Sequence, residues 1–244
     1  MADAIFEVRR LAEIYDPLDS DRSDLDVYES MVVDELSGSS VLDIGCGTGT
    51  FACRLAGRGL EVVAADPAAA PLAVARRKPY ADRVRWITGD ATALPHLQVD
   101  VATMTGNVAQ VFLTDESWAL TLSATRAALS PGGLLVFEVR DPRRETWRAW
   151  NREQTLRHRT IAGVGAVETW VDLVEVTPTL VSFRTTFVFG ADGAVLTSDS
   201  TLRFRSEAEI RDSLQRLGYV VEEIRDAPDR PGRELVFMAR RVDQ

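Results

Sequence analysis

The sequence predicts an α/β protein whose first half folds into a doubly wound parallel sheet. Short apolar runs typical of buried strands alternate there with segments that have apolar residues at helical spacing. Strands that alternate with helices are joined by right-handed crossovers, which make the sheet parallel and place its ligands outside the carboxyl ends of the strands. Five runs are the predicted strands: SVLDIG, EVVAAD, VRWITGD, VDVATMTG and LLVFEV.

The predicted helices between these strands have recognisable ends. The first stops at a glycine, and the second begins with Pro67, where the missing N–H costs nothing. Thr114 or Asp115 can cap the third helix, which the SPGG segment ends before the fifth strand. These signals support the alternation of strand and helix.

After the fifth strand the pattern changes to strands without intervening helices. Three strand-like runs follow, with turn signals at Pro178 and GADG between them: AVETWVDLVEV, LVSFRTTFVF and AVLTSDSTLRF. Phe183, Phe187 and Phe189 occupy positions on one face of the middle run. We therefore expect an inserted antiparallel β lobe with one apolar side.

The C-terminal segment returns to the mixed pattern. Ser206 and Glu209 form a capping box at the start of the helical run EAEIRDSLQRL. Two strand-like runs, YVVEEI and ELVFMAR, follow with a short connection and predict a hairpin-like edge.

Composition and charge disfavour several classes of function. The 244 residues are 45% hydrophobic, enough for a substantial core, and the net charge of −9 disfavours a nucleic-acid partner. No apolar run approaches the ~20 residues that span a bilayer, and the N-terminus lacks the apolar core of a signal peptide, so we expect a cytoplasmic protein without a membrane partner. Cys46 and Cys53 fit neither a disulfide framework nor a zinc pattern, and we expect no metal site.

The segment VLDIGCGTGTF contains the first chemical signal. Gly45, Gly47 and Gly49 follow the first strand, where a backbone without Cβ atoms can turn tightly and approach a ligand. Asp66 ends the second strand about twenty residues later, where a carboxylate can accept hydrogen bonds from both ribose hydroxyls. Asp90 ends the third strand and can reach the edge of an adenine. Either carboxylate can also cap the helix or turn after it, but three successive strand ends favour one adenosine-sized ligand.

A dinucleotide is the main alternative ligand. Its fingerprint spaces the glycines G-x-G-x-x-G, whereas this loop has the pattern G-x-G-x-G, followed by Thr50. Asp43, inside the first strand, adds negative potential beside the loop, which suits an amino group or a sulfonium better than a pyrophosphate. A NAD-dependent oxidoreductase is therefore disfavoured but stays an alternative.

Four stretches carry a family resemblance: VLDIGCGTGTFACRLAGRGLEVVAADPA, GDATALP, MTGNVAQVF and LSPGGLLVFEVRDP. In that order they resemble the motifs of class I S-adenosylmethionine-dependent methyltransferases, over residues 39 to 142. The resemblance implies a Rossmann-like, seven-stranded, mostly parallel sheet with a reversed last strand and helices on both faces. The inserted β lobe is similar to the lid of small-molecule N- and O-methyltransferases, including glycine and amino-sugar enzymes. The whole chain is similar to a group of bacterial small-molecule methyltransferases.

The resemblance also implies contacts to S-adenosylmethionine, whose product is S-adenosylhomocysteine. The glycines would lie under its methionine part, Asp66 on its ribose and Asp90 with Ala91 beside its adenine, while residues 105–107 would line the reaction centre. Cys46 would contribute its backbone only, because no neighbouring base or cation marks it as a nucleophile. The predicted cofactor contacts are Asp43, Gly45, Cys46, Gly47, Gly49, Asp66, Pro67, Asp90, Ala91, Thr105 and Gly106.

The expected organisation has four parts. Residues 1–38 form an N-terminal helical cap, residues 39–145 the S-adenosylmethionine-binding core, residues 146–205 an antiparallel β lid, and residues 206–244 the last helix and two strands of the core. We expect a monomer or a homodimer.

The predicted function is S-adenosylmethionine-dependent methyl transfer to a small-molecule N or O acceptor by in-line displacement. MTGNVAQ stands where enzymes that methylate exocyclic amines in DNA or glutamine have an Asn/Asp-Pro-Pro-aromatic motif, which disfavours that class. A methyltransferase acting on a macromolecule and a cofactor-binding module without catalysis stay alternatives.

Methyl transfer depends on alignment of the nucleophile, the methyl group and the sulfur, and needs a base only if the nucleophile arrives protonated. Arg140 can hold a substrate carboxylate and Asp141 can orient an amine, although a surface salt bridge or cap explains them equally well. Arg157 and Arg159 would depress the pKa of His158, although an exposed residue at the start of the lobe is the plainer interpretation. The candidate catalytic residues are Tyr15, Asn107, Arg140, Asp141 and His158.

Overall fold

The computed structural model describes residues 3–242 and contains a seven-stranded sheet and a four-stranded sheet. In the described range, three α-helices and a π-helix (Met31–Glu35) precede the first strand. In chain order the helices and strands are α1 (Ala4–Glu7), α2 (Arg9–Leu18), α3 (Asp24–Ser30), β1 (Ser40–Ile44), α4 (Thr50–Gly57), β2 (Glu61–Asp66), α5 (Ala69–Ala75), β3 (Val84–Thr88), β4 (Val99–Met104), α6 (Asp115–Ala128), β5 (Leu129–Arg140), α7 (Arg152–Thr155), β6 (Arg157–Ile161), β7 (Gly165–Val176), β8 (Leu180–Phe189), β9 (Val195–Arg203), α8 (Glu207–Arg216), β10 (Tyr219–Asp226) and β11 (Glu234–Arg241).

The larger sheet has the strand order β10-β11-β5-β4-β1-β2-β3. Strands β1 to β5 are parallel to one another, whereas β11 is antiparallel to both β5 and β10. This confirms the predicted mostly parallel sheet with a reversed last strand. The strand order reverses between β1 and β4, because β2 and β3 extend the sheet on one side of β1 and β4 and β5 extend it on the other. Open α/β sheets bind ligands at the carboxyl ends of the strands beside such a reversal.

Apolar cores lie on both faces of the larger sheet because successive strand residues alternate between faces. On one face Phe137 of β5 stacks on Phe237 of β11 and packs with Trp118 of α6. On the other face Val136 packs in a core that includes Leu55 of α4. The two faces are therefore covered by different helices, as a doubly wound sheet requires.

The predicted helix caps are present, and two predicted boundaries are wrong. Strand β5 begins at Leu129 and includes the SPGG segment that was predicted to precede it. Thr114 accepts the Ser117 amide at the start of α6, and Ser206 forms the predicted capping box at the start of α8. The second predicted helix, α5, begins at Ala69 rather than Pro67, because the Asp66 side chain accepts the Ala68 amide and holds the intervening residues in a turn.

The smaller sheet has the order β6-β7-β8-β9, and all its pairs are antiparallel. Strands β7, β8 and β9 correspond to the three predicted runs. The fourth strand, β6, was not expected, since four of its five residues are exposed and its RHRTI sequence has no apolar alternation.

The apolar face of β8 packs in two places. Phe187 and Phe189 lie in a buried cluster with Leu11 and Ile14 of α2. Farther along the strand, Phe183 meets Trp150 edge-on, with 4.7 Å between the ring centroids. The N-terminal helices and the smaller sheet are therefore one packed unit beside the larger sheet.

Within the described range, no helix is long and apolar enough to cross a membrane. Between residues 3 and 242, no three or more His, Cys, Asp or Glu side chains are grouped so that they could hold a metal ion. Cys46 and Cys53 are free thiols.

Candidate active site

The glycine loop joins β1 to α4 and contains three residues with positive φ, Gly45 (70°), Gly47 (53°) and Gly49 (72°). A Cβ atom at Gly45 would lie 2.6 Å from Val108, and one at Gly49 would lie 2.5 Å from Trp86, so both glycines are packed against the protein. A Cβ atom at Gly47 would meet nothing within 4 Å. Gly47 is therefore the glycine of this loop whose backbone faces open space.

Asp66, at the end of β2, links the glycine loop to the next turn. Its Oδ2 accepts a hydrogen bond from the Gly47 amide at 2.9 Å, and its Oδ1 accepts one from the Ala68 amide at 2.8 Å. Burial raises the pKa of this carboxyl, and the two amide bonds oppose that rise. Each oxygen keeps a lone pair that can accept a bond from a ligand hydroxyl. Pro67, beside it, is exposed.

Asp90, after β3, caps a 3₁₀ turn at Ala91–Ala93. Its Oδ1 accepts hydrogen bonds from the Thr92 amide at 2.9 Å and the Thr92 hydroxyl at 2.6 Å. The capping role that the sequence offers for this carboxylate is therefore present. Because β2 pairs with β3, Asp66 and Asp90 lie at the ends of adjacent strands.

Asp43 is almost completely buried within β1. Its Oδ1 accepts the Thr103 hydroxyl of β4 at 3.1 Å, whereas its Oδ2 has no hydrogen-bond partner among residues 3–242. Burial is the main cause that raises the pKa of Asp43 to about 7, and the Asp66 charge adds to it. Burial and these two carboxylates also raise the pKa of the Cys46 thiol, so the thiol stays protonated and is a poor nucleophile.

Asp16, near the end of α2, attaches the N-terminal helices to the glycine loop. Its Oδ1 accepts hydrogen bonds from the hydroxyls of Thr48 at 2.7 Å and Thr50 at 3.2 Å. Its Oδ2 lies 2.7 Å from the Lys78 ammonium. One carboxylate thus connects α2, the start of α4 and the segment after α5.

A second polar group, which we call the β5 cluster, lies where β5 ends and β11 begins. Glu138 Oε1 accepts the backbone amides of Gly106 at 2.5 Å and Asn107 at 3.0 Å. The Asn107 side-chain amide donates to Glu234 Oε1 at 3.2 Å, and Arg230 donates to the same oxygen at 2.8 Å. The cluster comprises Asn107, Glu138, Arg140, Arg230 and Glu234.

Two oxygens of the β5 cluster have no hydrogen-bond partner within residues 3–242, Glu138 Oε2 and Asn107 Oδ1. Both side chains are nearly inaccessible, with 4% and 2% of the residue exposed. Burial is the main cause that raises the pKa of Glu138 to about 7; the Tyr28 hydroxyl lowers it, and the Glu234 charge raises it. The cluster therefore holds a carboxyl group that exchanges its proton near neutral pH.

Arg140 and Tyr15 lie beside this cluster. The Arg140 guanidinium donates to Gln110 Oε1 at 3.0 Å, lies 3.7 Å from Glu234 Oε1, and is 5.7 Å from the centroid of the Trp150 ring. Burial lowers the pKa of Arg140. Tyr15 is 37% exposed and interacts electrostatically with Arg140. Helix α2, which carries Tyr15, therefore lies close to the end of β5.

Two of the predicted catalytic residues have other partners. The Asp141 carboxylate accepts hydrogen bonds from the backbone amide of Arg143 and, at 2.8 Å, from its guanidinium. Asp141 therefore has the capping and salt-bridge roles that the sequence allows. His158 lies on β6 with 64% of its side chain exposed, and its Nδ1 is 3.2 Å from Glu168. Its charged neighbour in space is a carboxylate, whereas the sequence suggested the flanking arginines. Among the contacts between residues 3 and 242, none joins His158 to the β5 cluster.

A groove of about 550 Å³ lies beside α4 rather than at the strand ends. The cations in its wall already have carboxylate partners, since Arg22 pairs with Asp24 and Arg54 with Glu29. Lys78, in the same wall, pairs with a third carboxylate. Three buried acceptors that lack donors in the described range, on Asp43, Asn107 and Glu138, are near the strand ends, and this region is the candidate site.

Asp16, Glu138 and Glu234 were not predicted from the sequence. Glu138 lies inside the apolar run LLVFEV, just as Asp43 lies inside the first strand, and this signal could have identified it. Asp16 is 32 residues from Thr48 and Glu234 is 127 residues from Asn107, so no local pattern marks these two contacts.

Part of the chain matches known methyltransferases. Residues 41–133 match a family model described as a methyltransferase domain. A 2-phytyl-1,4-naphtoquinone methyltransferase from Thermosynechococcus vestitus is 43% identical over 101 residues, which cover 38% of this chain and 44% of that protein. A cypemycin N-terminal methyltransferase from a Streptomyces species is 33% identical over 108 residues, 44% of each chain. The chain spans less than half the length of these curated relatives.

Solved structures resemble nearly the whole chain. An S-adenosylmethionine-dependent methyltransferase from Clostridium acetobutylicum superposes with a TM-score of 0.76 over 96% of this chain and 98% of that one, at 16% identity. A sugar N-methyltransferase from a Streptoalloteichus species gives a TM-score of 0.75 over 100% of this chain and 96% of that one, at 18% identity. The TM-scores show a common fold, and at such low identities the likeness extends to the fold alone. Residues 41–133 therefore match a methyltransferase domain, in a chain that has the fold of a solved S-adenosylmethionine-dependent methyltransferase.

Proposed function

We propose that this protein transfers a methyl group from S-adenosylmethionine to a small-molecule N or O acceptor by in-line displacement. The observation that carries the proposal is the bare backbone at Gly47, where an added Cβ would meet nothing within 4 Å and whose amide donates to the Asp66 carboxylate. A ligand with an amino group, a sulfonium and a ribose would find acceptors in Asp66 and in Asp43, at the end of the strand before the loop.

The residues at the strand ends fit S-adenosylmethionine in chemistry. In this proposal Asp66 accepts the ribose hydroxyls, Asp90 and Ala91 border the adenine, and the free Asp43 oxygen supplies negative potential near the amino group and the sulfonium. The backbone at Gly45, Cys46, Gly47 and Gly49 would hold the methionine part, with Pro67, Thr105 and Gly106 along the rim. When bound, S-adenosylmethionine supplies an electrophilic methyl group, and the protein supplies alignment in a site with little water.

A small acceptor is favoured by what surrounds the end of β5. Tyr15 of the N-terminal helices, Arg140 of β5 and Trp150 before the smaller sheet approach this point from three parts of the chain. The sugar N-methyltransferase with a similar fold supports a small acceptor, and the net charge of −9 disfavours nucleic acid.

The same proposal assigns roles to the four parts of the chain. Residues 1–38 would cap the cofactor, residues 39–145 and 206–244 would form the cofactor-binding core, and residues 146–205 would form a lid over the acceptor. The contact of Asp16 with Thr48 at 2.7 Å supports the capping role, since it joins the N-terminal helices to the glycine loop.

The proposed function is tested by transfer of a labelled methyl group. Purified protein and methyl-labelled S-adenosylmethionine are incubated with small amines, alcohols and phenols, and separately with duplex DNA, transfer RNA and a protein mixture. We expect label in at least one small molecule, accompanied by S-adenosylhomocysteine, and none in the macromolecules. Label in a macromolecule alone contradicts the proposal. Asp66→Ala is expected to reduce transfer, and Asp82→Ala, at an exposed position, serves as its control.

A further inference from the structure

Two buried oxygens of the β5 cluster, Glu138 Oε2 and Asn107 Oδ1, lack hydrogen-bond donors among residues 3–242. The two residues are joined by a hydrogen bond from the Asn107 backbone amide to Glu138 Oε1, at 3.0 Å. The Asn107 amide group has a defined orientation, because its Nδ2 donates to the Glu234 carboxylate and its oxygen must then face elsewhere. Two acceptors on adjacent side chains therefore lack donors in one buried site.

The guanidinium groups around this site are already engaged, and the Tyr28 hydroxyl lies at the Glu138 carboxyl and lowers its pKa. Arg230 donates to Glu234, and Arg140 donates to Gln110. Buried polar atoms are almost always hydrogen-bonded, so two free acceptors indicate a ligand that brings donors. An amine brings two or three N–H groups and can serve both oxygens, whereas a hydroxyl brings one and leaves an oxygen unpaired.

We propose that the methyl acceptor is an amine whose nitrogen binds between Glu138 Oε2 and Asn107 Oδ1, and that Glu138 takes a proton from it. This inference rests on the proposed function and makes its acceptor class specific. Glu138 would be a catalytic residue, and Asn107 would orient the nitrogen. The loop at residues 105–107, which Glu138 holds through two backbone amides, places both groups at the carboxyl end of β4.

The proton and electron balance is complete without a further reactant. The amine enters as an ammonium, and one N–H proton passes to the Glu138 carboxylate, which frees the nitrogen lone pair. The N–C bond then forms as the S–C bond breaks, and the electron pair of the broken bond stays on sulfur. The methylated product leaves as an ammonium, and Glu138 returns its proton to water.

The charges that face Glu138 come from several elements. Tyr28 of α3 and Glu234 of β11 act on it directly, and the guanidinium groups of Arg140 and Arg230 interact with it electrostatically. Burial raises the pKa of Glu138 to about 7, which is closer to the pKa of an amine than that of an ordinary glutamate is. Transfer of a proton from an ammonium to Glu138 is therefore less unfavourable. We therefore expect the carboxylate to accept a proton more readily above pH 7 than below it.

The test compares amines with alcohols of the same shape. Protein saturated with S-adenosylhomocysteine is titrated calorimetrically, at pH 6 and pH 8.5, with three probe pairs: glucosamine and glucose, benzylamine and benzyl alcohol, cyclohexylamine and cyclohexanol. For at least one pair we expect the amine to bind about 10-fold or more tightly than the alcohol at pH 8.5, with a smaller ratio at pH 6. Glu138→Gln, which keeps an oxygen for the two backbone amides, should remove the preference.

The controls separate this inference from the proposed function. Glu153→Gln, at an exposed position of α7, should keep the preference for amines. If Glu138→Gln does not fold, the change of the wild-type ratio between the two pH values is the readout. No preference in any pair, or a preference that survives Glu138→Gln, overturns the inference while leaving methyl transfer intact. Failure of the wild type to bind S-adenosylhomocysteine overturns the proposed function and this inference with it.

Discussion

At the scale of single residues, the three glycines of the loop after β1 have different neighbours. Gly45 and Gly49 lie against Val108 and Trp86, whereas Gly47 faces open space. The packing of Gly49 against Trp86 gives a short contact between α4 and the neighbouring strand β3. In a dinucleotide fingerprint the third glycine provides that close packing one position later.

Alanine substitutions at Gly47 and Gly49 should separate these roles. Both need a positive φ, which costs a non-glycine residue about 1–2 kcal/mol. Gly49→Ala should lower the free energy of unfolding by a further 1–3 kcal/mol or so, because its Cβ would lie 2.5 Å from Trp86. Gly47→Ala should keep the fold and weaken S-adenosylhomocysteine binding about 10-fold. Urea unfolding and calorimetry measure the two effects, and equal destabilisation by both variants contradicts the assignment.

The buried Asp43 carboxyl should make stability depend on pH. The pKa of Asp43 is about 7 in the folded protein, whereas an unperturbed Asp, as in the unfolded chain, has a pKa of 3.8. Between these two pH values the folded state therefore binds more protons than the unfolded state. The free energy of unfolding therefore falls as pH rises through this window. From pH 5 to pH 7 this one group costs about 2 kcal/mol, and the remaining contribution of about 0.4 kcal/mol is lost by about pH 8.

Asp43→Asn should remove that part of the pH dependence. Relative to the wild type, the variant should gain about 2 kcal/mol of unfolding free energy at pH 8 compared with pH 5. Urea unfolding at both pH values measures this double difference, in which the other titrating carboxyls cancel. An unchanged difference between the two proteins at pH 5 and pH 8 contradicts an ionising, buried Asp43.

At the residue level, the sequence indicates candidate site residues where position on a strand carries the information. Asp43, Asp66 and Asp90 could be named as candidates because each lies in or directly after a strand. Glu234 could not, because its partner Asn107 is 127 residues away and meets it only through the pairing of β11 with β5.

At the scale of elements, α2 connects the glycine loop to the smaller sheet. Asp16 holds one side of this helix to Thr48 and Thr50, and Leu11 and Ile14 pack in a cluster with Phe187 and Phe189 of β8. A substitution that weakens the packing of α2 should therefore also lower the affinity of the proposed site for its cofactor.

Asp16→Ala should release α2 from the glycine loop without unfolding the sheets. It removes the acceptor for the Thr48 and Thr50 hydroxyls and the partner of Lys78. We expect faster amide exchange over residues 9–18 and a several-fold weaker affinity for S-adenosylhomocysteine, measured by hydrogen exchange and calorimetry. Asp19→Ala, at an exposed neighbouring position, is the control. Unchanged exchange and affinity would show that the contact has no role in closing the site.

Element-level prediction depended on apolar alternation. Strands β7, β8 and β9 have it and were predicted, whereas β6 is polar and mostly exposed and was missed. The start of α5 was displaced by a side-chain hydrogen bond from Asp66 to Ala68, which helix propensity does not report.

At the scale of the whole molecule, the strand–helix alternation predicted a parallel sheet, but not the order of its strands. The position of the reversed strand β11 between β5 and β10 could not be predicted from the strand pattern, because a C-terminal strand pair could occupy either edge of a sheet. The family resemblance supplied the expectation of a reversed last strand. The fold does not identify the acceptor, because enzymes that share one fold and one cofactor site act on different substrates.

The most direct test of the proposed cofactor site is calorimetric titration of the protein with S-adenosylmethionine, S-adenosylhomocysteine and NAD, for the wild type beside Asp66→Ala. We expect both sulfur ligands to bind with one site per chain and NAD not to bind, and we expect Asp66→Ala to weaken binding of the sulfur ligands about 10-fold or more. Binding of NAD alone would contradict this expectation, because the glycine loop would then hold a dinucleotide pyrophosphate.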